Sequence, residues 1–491
     1  MDITQRIIRP VLLGSLCILA PLSSFAAEGF KQDFDCFSII VGKKASADGS
    51  VLFGHNEDVL APVVNLYKVP GGGHGPGETV VLRQGGTIPQ VKETFGNLWL
   101  NVPGWDVCDG YVNEQGVAVG SDGCPSREDD PQLTHGGILF WLRRLVAERA
   151  RTAREGVKLA GALIEKFGYN SSGRSYVIAD ENEGWILAAV NGKRWVARRV
   201  PDDEVAVIAN CYTIQAINLR DTTNFLGSAD IIEYAVSRGW YDRSRDGEFN
   251  FAKAYSNPGS LTHPGNTGRM WRGFALLAGR KYDIHKQLPF AVVPEKKLTP
   301  QDLMRTMRDR YEGTEIDDPG QAAICHDGTR YSMIAQIRGW LPGEIKAVIW
   351  LALHRPDLQG YSAWYPTITS IPKAYVSESA EAGLQEHLDT SLTASERRKS
   401  PAYTRFVDLD NKARPDSSAS AATLRAWKSF EQRNFKAQAE FEKNIEKTLK
   451  QDPRKAIKLI TDHTAQKANE VFEKAGELLK SFKPKGDSRW Q

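Results

Sequence analysis

Cysteine is scarce in this chain, six in 491 residues, which excludes the dense disulfide scaffold on which small exported domains rely. No C-x-x-C pair, His-x-x-x-His pair or comparable ligand cluster occurs, so neither a metal nor another cofactor is expected. A charge excess of either sign is missing too. The formal net charge is +3 and charged residues make up 25%, so nothing points to nucleic acid or to an anionic surface as a partner. Beyond the N-terminal leader no segment approaches the roughly 20 apolar residues that span a bilayer, and no stable membrane anchor is expected.

The leader itself is informative. Arg6 and Arg9 form a basic start, Val11 to Leu22 is an almost unbroken apolar run, and Ser24-Phe25-Ala26 supplies small residues for a signal peptidase. Residues 1–26 therefore read as a signal peptide, and the protein as exported, periplasmic or secreted. Cys17 suggests a lipoprotein site, but Leu16 before it is larger than such a site normally takes. Cleavage after Ala26 leaves Ala27 to Asp35, a short polar segment resembling a propeptide.

Cys36 comes next, opening a strand–turn–strand stretch that runs to Asp58. Without Cys17 the cysteines are Cys36, Cys108, Cys124, Cys211 and Cys325, an odd number that leaves an unpaired thiol. A bridge between Cys108 and Cys124 across a hairpin stays open. A second cut, between Asp35 and Cys36, would give one residue both a thiol and a free α-amine. The reference pKa of such an amine, about 7.7–8, lets it accept a proton near neutral pH. The plain alternative is a flexible lead-in ending in a small buried cysteine.

From Cys36 to about Tyr375 short β-type runs alternate with Gly, Asp and Pro turns. Val51 to Phe53, Thr79 to Leu82 and Gly116 to Gly120 read as strands. Ser175 to Ala179 and Gly184 to Ala188 form a hairpin pattern, and so do Tyr331 to Gln336 and Ala347 to Ala352. Leu139 to Arg154 and, after Gly156, Val157 to Phe167 have helical spacing, while Thr299-Pro300-Gln301-Asp302 starts a helix running to Arg310. Hairpins with helices between them imply a layered α+β architecture. After about Ser377 strand signals vanish, and Ser420 to Lys450 and Pro453 to Phe482 read as long amphipathic helices. The division is therefore a main domain over 36–376 and a helical extension over 377–491. The extension is expected to pack on the main domain, and leaves room for a homo-oligomer.

Neither papain-type nor caspase-type surroundings occur at any cysteine. Groups able to serve a terminal thiol are nonetheless present. His55, Asn56 and Asp58 end the second strand of the opening hairpin and can fold back beside Cys36. Asn210, ending the strand-like run Val205 to Ala209, offers an amide donor for an oxyanion, and Arg269 and Arg272 offer positive charge. Taken singly, these are also what a turn, a strand terminus and a solvated helix face look like.

The stretch Cys36 to Asp58 resembles the start of bacterial cysteine dipeptidases, in the secernin-related family of N-terminal nucleophile hydrolases. The resemblance continues in order through Asn113 to Ala118, Arg199 to Glu204, Ala209-Asn210, Arg269 to Gly273, Tyr311 to Thr314, Trp340 to Pro342 and Trp364 to Pro366. It implies a four-layer αββα sandwich, autocatalytic removal of a short leader, and hydrolysis of an amide bond in small peptide substrates. It also implies Cys36 as nucleophile, Asp58 beside the terminal amine, Asn210 as oxyanion donor and Arg272 as a supporting arginine. Asp122 falls near another oxyanion-hole position, where it would contact substrate. Many relatives carry arginine where this chain has His55. A histidine supports a thiolate only when protonated, below about pH 6.5 unless shifted, and substrate binding is the other use open to it. Two rival readings remain: an acylase of N-acyl amides on the same fold, and a non-catalytic exported binding protein on a degenerate scaffold.

Overall fold

Phe37-Ser38-Ile39-Ile40-Val41 favours extended backbone, and in the computed structural model it forms the first strand, β1 (Phe37–Val41). The structure describes residues 35–59, 63–102, 109–139, 141–316, 322–377, 385, 387 and 399–482. The leader, the segment Ala27 to Phe34 and Cys108 lie outside the described residues. At the tip of the opening hairpin Asp48 Oδ1 accepts from Ser50 N at 3.1 Å and from Ser50 Oγ at 2.6 Å, an Asx turn that returns the chain. The second strand, β2 (Val51–Asp58), runs antiparallel to the first, with Ser38 opposite His55 and Phe37 opposite Asn56.

Twelve further strands complete two sheets. They are β3 (Asn65–Val69), β4 (Asn97–Asn101), β5 (Gly110–Asn113), β6 (Ala118–Gly123), β7 (Tyr169–Ala179) and β8 (Gly184–Gly192). After these come β9 (Trp195–Arg199), β10 (Val205–Ile208), β11 (Phe225–Gly227), β12 (Thr329–Ile337), β13 (Ala347–Leu353) and β14 (Ser362–Trp364). One sheet has the order β10-β1-β2-β12-β13-β14, the other β11-β9-β8-β7-β6-β5-β4-β3. Neighbours pair antiparallel throughout both sheets. The Thr79 run lies apart, in a small ribbon with Thr87–Pro89.

Side chains alternate across a strand, and close contacts show which face meets which layer. A Cβ on Gly120 of β6 would meet Phe53 Cζ at 2.8 Å, so Phe53 and the residues in phase with it face the other sheet. A Cβ on Gly54 would meet Met307 Cε at 2.7 Å, so the opposite face meets helices. Those helices are α3 (Pro264–Ala278) and α4 (Pro300–Met307), the latter opened by a capping box between Thr299 and Asp302. The outer face of the eight-stranded sheet is covered by α1 (Trp141–Arg149) and α2 (Ala153–Phe167), which share a core with Val119, Ile178, Trp185 and Leu187. The architecture is the four-layer αββα sandwich.

Two helix boundaries correct the sequence reading. The break after the first helix comes at Ala150 to Thr152, where Thr152 Oγ1 caps α2 by accepting from Glu155 N at 3.2 Å. Gly156 lies inside α2, where a Cβ would stand 2.9 Å from Val146 Cγ1; it marks close packing, not a helix end. The fourth helix stops at Met307, short of Arg310. C-terminal helices α5 (Pro401–Ala413), α6 (Ser417–Gln451) and α7 (Pro453–Ser481) follow the amphipathic pattern, with Asp452 capping the last. Arg308 Nη2 pairs with Glu431 Oε1 at 2.5 Å and Arg338 Nη1 with Glu442 Oε2 at 2.6 Å, both buried, which tie α6 to the main sandwich.

Candidate active site

Cys36 immediately precedes β1 and is 1% exposed. The register of the sheet decides its neighbours. Ser38 faces Ile208 on one side and His55 on the other; two residues further along, the same antiparallel registers bring Asn210 and Glu57 to the flanks of Cys36. The thiol donates to Glu57 Oε1 at 3.3 Å, with the backbone carbonyl of Asp58 at 3.7 Å.

Glu57 starts a buried polar chain. His55 Nε2 lies 3.0 Å from Glu57 Oε2, and His55 Nδ1 lies 2.8 Å from Ser38 Oγ. Ser38 Oγ donates to Asp122 Oδ2 at 2.7 Å. A hydroxyl has one proton, so with that proton on Asp122, Ser38 accepts from Nδ1–H. An imidazolium then satisfies both ring nitrogens. Burial opposes that charge, but the hydrogen bond to Glu57 and the charges of Asp122, Glu57 and Asp58 outweigh it and raise the His55 pKa. Burial also pushes the Asp122 carboxyl up to about 7, against the pull of His55 and Ser38. Both His55 and Asp122 are 0% exposed, between the sheets and engaged with each other through Ser38. The two residues expected to contact substrate thus stand buried in one chain with Ser38 and Glu57.

Asn210 lies just past β10 and is tied down on three atoms. Its backbone N–H donates to Asn266 Oδ1 at 3.3 Å, its carbonyl accepts from Asn266 Nδ2 at 3.1 Å, and its Oδ1 accepts from Arg269 Nη2 at 3.0 Å. Its Nδ2, buried, has no hydrogen-bond partner among the described residues. A buried donor of this kind is costly unless something uses it.

Arg269, on α3, clamps the site. Nη1 donates to the Cys36 carbonyl at 2.9 Å while Nη2 reaches Asp35 Oδ1 at 3.1 Å, so the guanidinium straddles the Asp35–Cys36 bond. It is itself 0% exposed. Arg272, one helical turn on, forms a two-oxygen pair with Asp309 at 2.7–2.9 Å. Of the two arginines singled out from the sequence, Arg269 is the one against Cys36, and Arg272, expected as a supporting arginine, is paired with Asp309.

Asp58 points to the helix face of β2 together with Asn56, whose Nδ2 donates to Met307 O and Ile324 O at 2.9 and 2.8 Å. Both Asp58 carboxylate oxygens are buried without a hydrogen bond among the described residues; His326 Nε2 stands 3.5 Å away. The other described cysteines have different settings. Burial pushes the Cys211 thiol up to about 12, and those of Cys124 and Cys325 well above their ordinary value. A cavity of about 650 Å³ has Cys211, Met270, Lys253 and Lys286 in its wall; Cys36, Asn210 and Arg269 do not line it. Among the described residues no cluster of His, Cys, Asp and Glu is placed to hold a metal ion.

A thiol beside a carboxylate, an amide donor across the sheet and an arginine over an amide bond can together carry nucleophilic attack on a carbonyl. Comparison with known proteins gives the family. The model of Peptidase family C69 matches residues 128–412, more than half of the chain. A probable dipeptidase of Latilactobacillus sakei is 30% identical over 363 residues, covering 69% of this chain and 76% of its own. A dipeptidase of Bifidobacterium longum is 27% identical over 404 residues, covering 70% and 73%. Among solved structures, the penicillin V acylase from Agrobacterium tumefaciens aligns at 12% identity and TM-score 0.33, over 67% of this chain and 85% of that one. This chain belongs to peptidase family C69.

Glu57 and Asn266 were not singled out from the sequence. The signal for Glu57 was there: period two from Cys36, read across the hairpin, selects positions 55 and 57 and not 56 and 58.

Proposed function

We propose that this protein is an exported dipeptidase whose Cys36, freed by cleavage after Asp35, is the nucleophile and whose own α-amine is the base. The observation that carries the reading is Asn210: a buried amide locked through its oxygen, with a free Nδ2 donor, in register beside Cys36. The α-amine takes the thiol proton and the thiolate attacks the peptide carbonyl. Asn210 Nδ2, with a backbone N–H, then holds the oxyanion. Next the ammonium protonates the leaving amine, and water releases the thioester. The Asp58 carboxylate, buried, without a hydrogen bond among the described residues and with His326 Nε2 at 3.5 Å, is the anion suited to hold the new ammonium. The relatives named as dipeptidases support the substrate class. The leader supports export.

The test is a panel of dipeptides and N-acyl amides run on the mature protein and on Cys36→Ser. Dipeptide turnover that falls to background in the variant is the expected result. Turnover of acyl amides alone would transfer the reading to an acylase. Binding of peptides with no turnover of either class would transfer it to a binding protein.

A further inference from the structure

The chemistry above needs a free amine, yet the first cut must happen without one. While Asp35 is attached, the Cys36 nitrogen is an amide and cannot take the thiol proton. The side chain in place to do so is Glu57, whose Oε1 lies 3.3 Å from Sγ on the same face of the hairpin. We infer that Glu57 is the base of the self-cleavage that exposes Cys36, an inference that rests on the N-terminal-nucleophile reading.

The geometry supports this in two further ways. Arg269 holds both sides of the bond to be cut, through the Cys36 carbonyl and the Asp35 carboxylate. His55 Nε2, 3.0 Å from the other Glu57 oxygen, fixes the orientation of the carboxylate and is a positioning residue. In the step, the thiol proton passes to Glu57 and Sγ attacks the Asp35 carbonyl carbon. The C–N bond breaks as the proton held by Glu57 moves to the departing nitrogen, leaving a thioester and the free α-amine. Water then splits the thioester, giving the Asp35 carboxylate and the Cys36 thiol. No oxidant or other co-reactant enters. Groups facing Glu57 are Cys36 at the head of β1, His55 on β2, Tyr331, its partner on β12, and, across the sheets, Asp122 on β6 with Arg174 of β7 beside it; the Asp58 carboxylate lies on the other face of β2.

The test follows loss of the first 35 residues from the full chain made by cell-free translation, read by intact mass from pH 6 to 9. Glu57→Gln should slow the cut about 100-fold at pH 7, the scale of a lost general base. It should recover in part as rising pH lets hydroxide take the thiol proton in place of the carboxylate. Glu57→Asp, which keeps a carboxylate, should cut faster than Glu57→Gln and follow the wild-type pH profile. Cutting by Glu57→Gln at the wild-type rate would overturn the base assignment and leave the N-terminal-nucleophile reading standing. A slow Glu57→Gln with no recovery at high pH, together with an equally slow Glu57→Asp, would make the role structural and overturn it too. A wild-type chain that hydrolyses dipeptides without losing residues 1–35 would overturn both.

Discussion

Two parts of this molecule bury charge, and they do so differently. Where α6 meets the sandwich, the buried carboxylates Glu431 and Glu442 are closed. Glu431 accepts from Arg308 through both oxygens and from Tyr361 N at 2.9 Å. Glu442 accepts from Arg338 and, through its second oxygen, from Tyr365 OH at 2.5 Å. Around Cys36, by contrast, Asn210 Nδ2 and both Asp58 oxygens stand buried without hydrogen bonds among the described residues. Closed buried pairs hold elements together; Asn210 Nδ2 and the Asp58 carboxylate, open and beside Cys36, are the groups that the proposed reading uses for substrate and for the new terminus. The same contrast separates Arg272, closed on Asp309, from Arg269, which holds the Asp35–Cys36 bond.

Breaking the closed side should give the largest effect, on stability. Glu431→Ala strands the buried Arg308 and should cost about 3–5 kcal/mol, measured by denaturant unfolding, with turnover per folded molecule unchanged. On the open side Asn210→Ala should lower kcat about 10²–10³-fold, the usual loss for one oxyanion donor, with little change in Tm. A pair of variants sharpens the comparison within α3. Arg269→Ala, which loses charge-assisted hydrogen bonds worth about 1.5–3 kcal/mol each, should lower kcat/KM about 10–100-fold. Arg272→Ala should change kcat/KM far less, since its partner is Asp309.

The smallest effect concerns pH. An acid whose pKa is raised on folding holds a proton that the unfolded chain has already released. Its contribution to stability is therefore full below the unfolded value near 3.9 and is lost as pH rises towards the Asp122 value of about 7. His55, also raised, contributes with the same sign: its share is present at low pH and lost as pH climbs through its folded pKa. Thermal melts between pH 4 and 8 should show a smaller decline with pH for Asp122→Asn than for wild type, by at most about 1.4 kcal/mol per pH unit.

Much of this layout was legible in the chain itself. The β-type runs, the capping box at Thr299 and the long C-terminal helices follow from local propensity and spacing, and the structure keeps them. Cys36 and Asn210 stood out because each lies at the end of a strand-like run. What stayed hidden depends on tertiary partners. Arg269 and Arg272 lie three apart on one helix, and only the packing of α3 against β1 and β10 decides which reaches Cys36. Asn56-Glu57-Asp58 reads as a turn, but β2 runs straight through it because β12 pairs along its other edge, which turns Glu57 to the thiol and Asp58 away. Gly156 suggested a helix break because glycine's low helix propensity is local information, whereas the contact with Val146 that calls for it is not.

The central claim is that Cys36 works with its own free α-amine. The most direct test is the N-terminal residue of the active mature protein, by intact mass and Edman chemistry. The account predicts a chain that begins at Cys36. A fully active protein that begins at Ala27, with Asp35 still joined to Cys36, would contradict it.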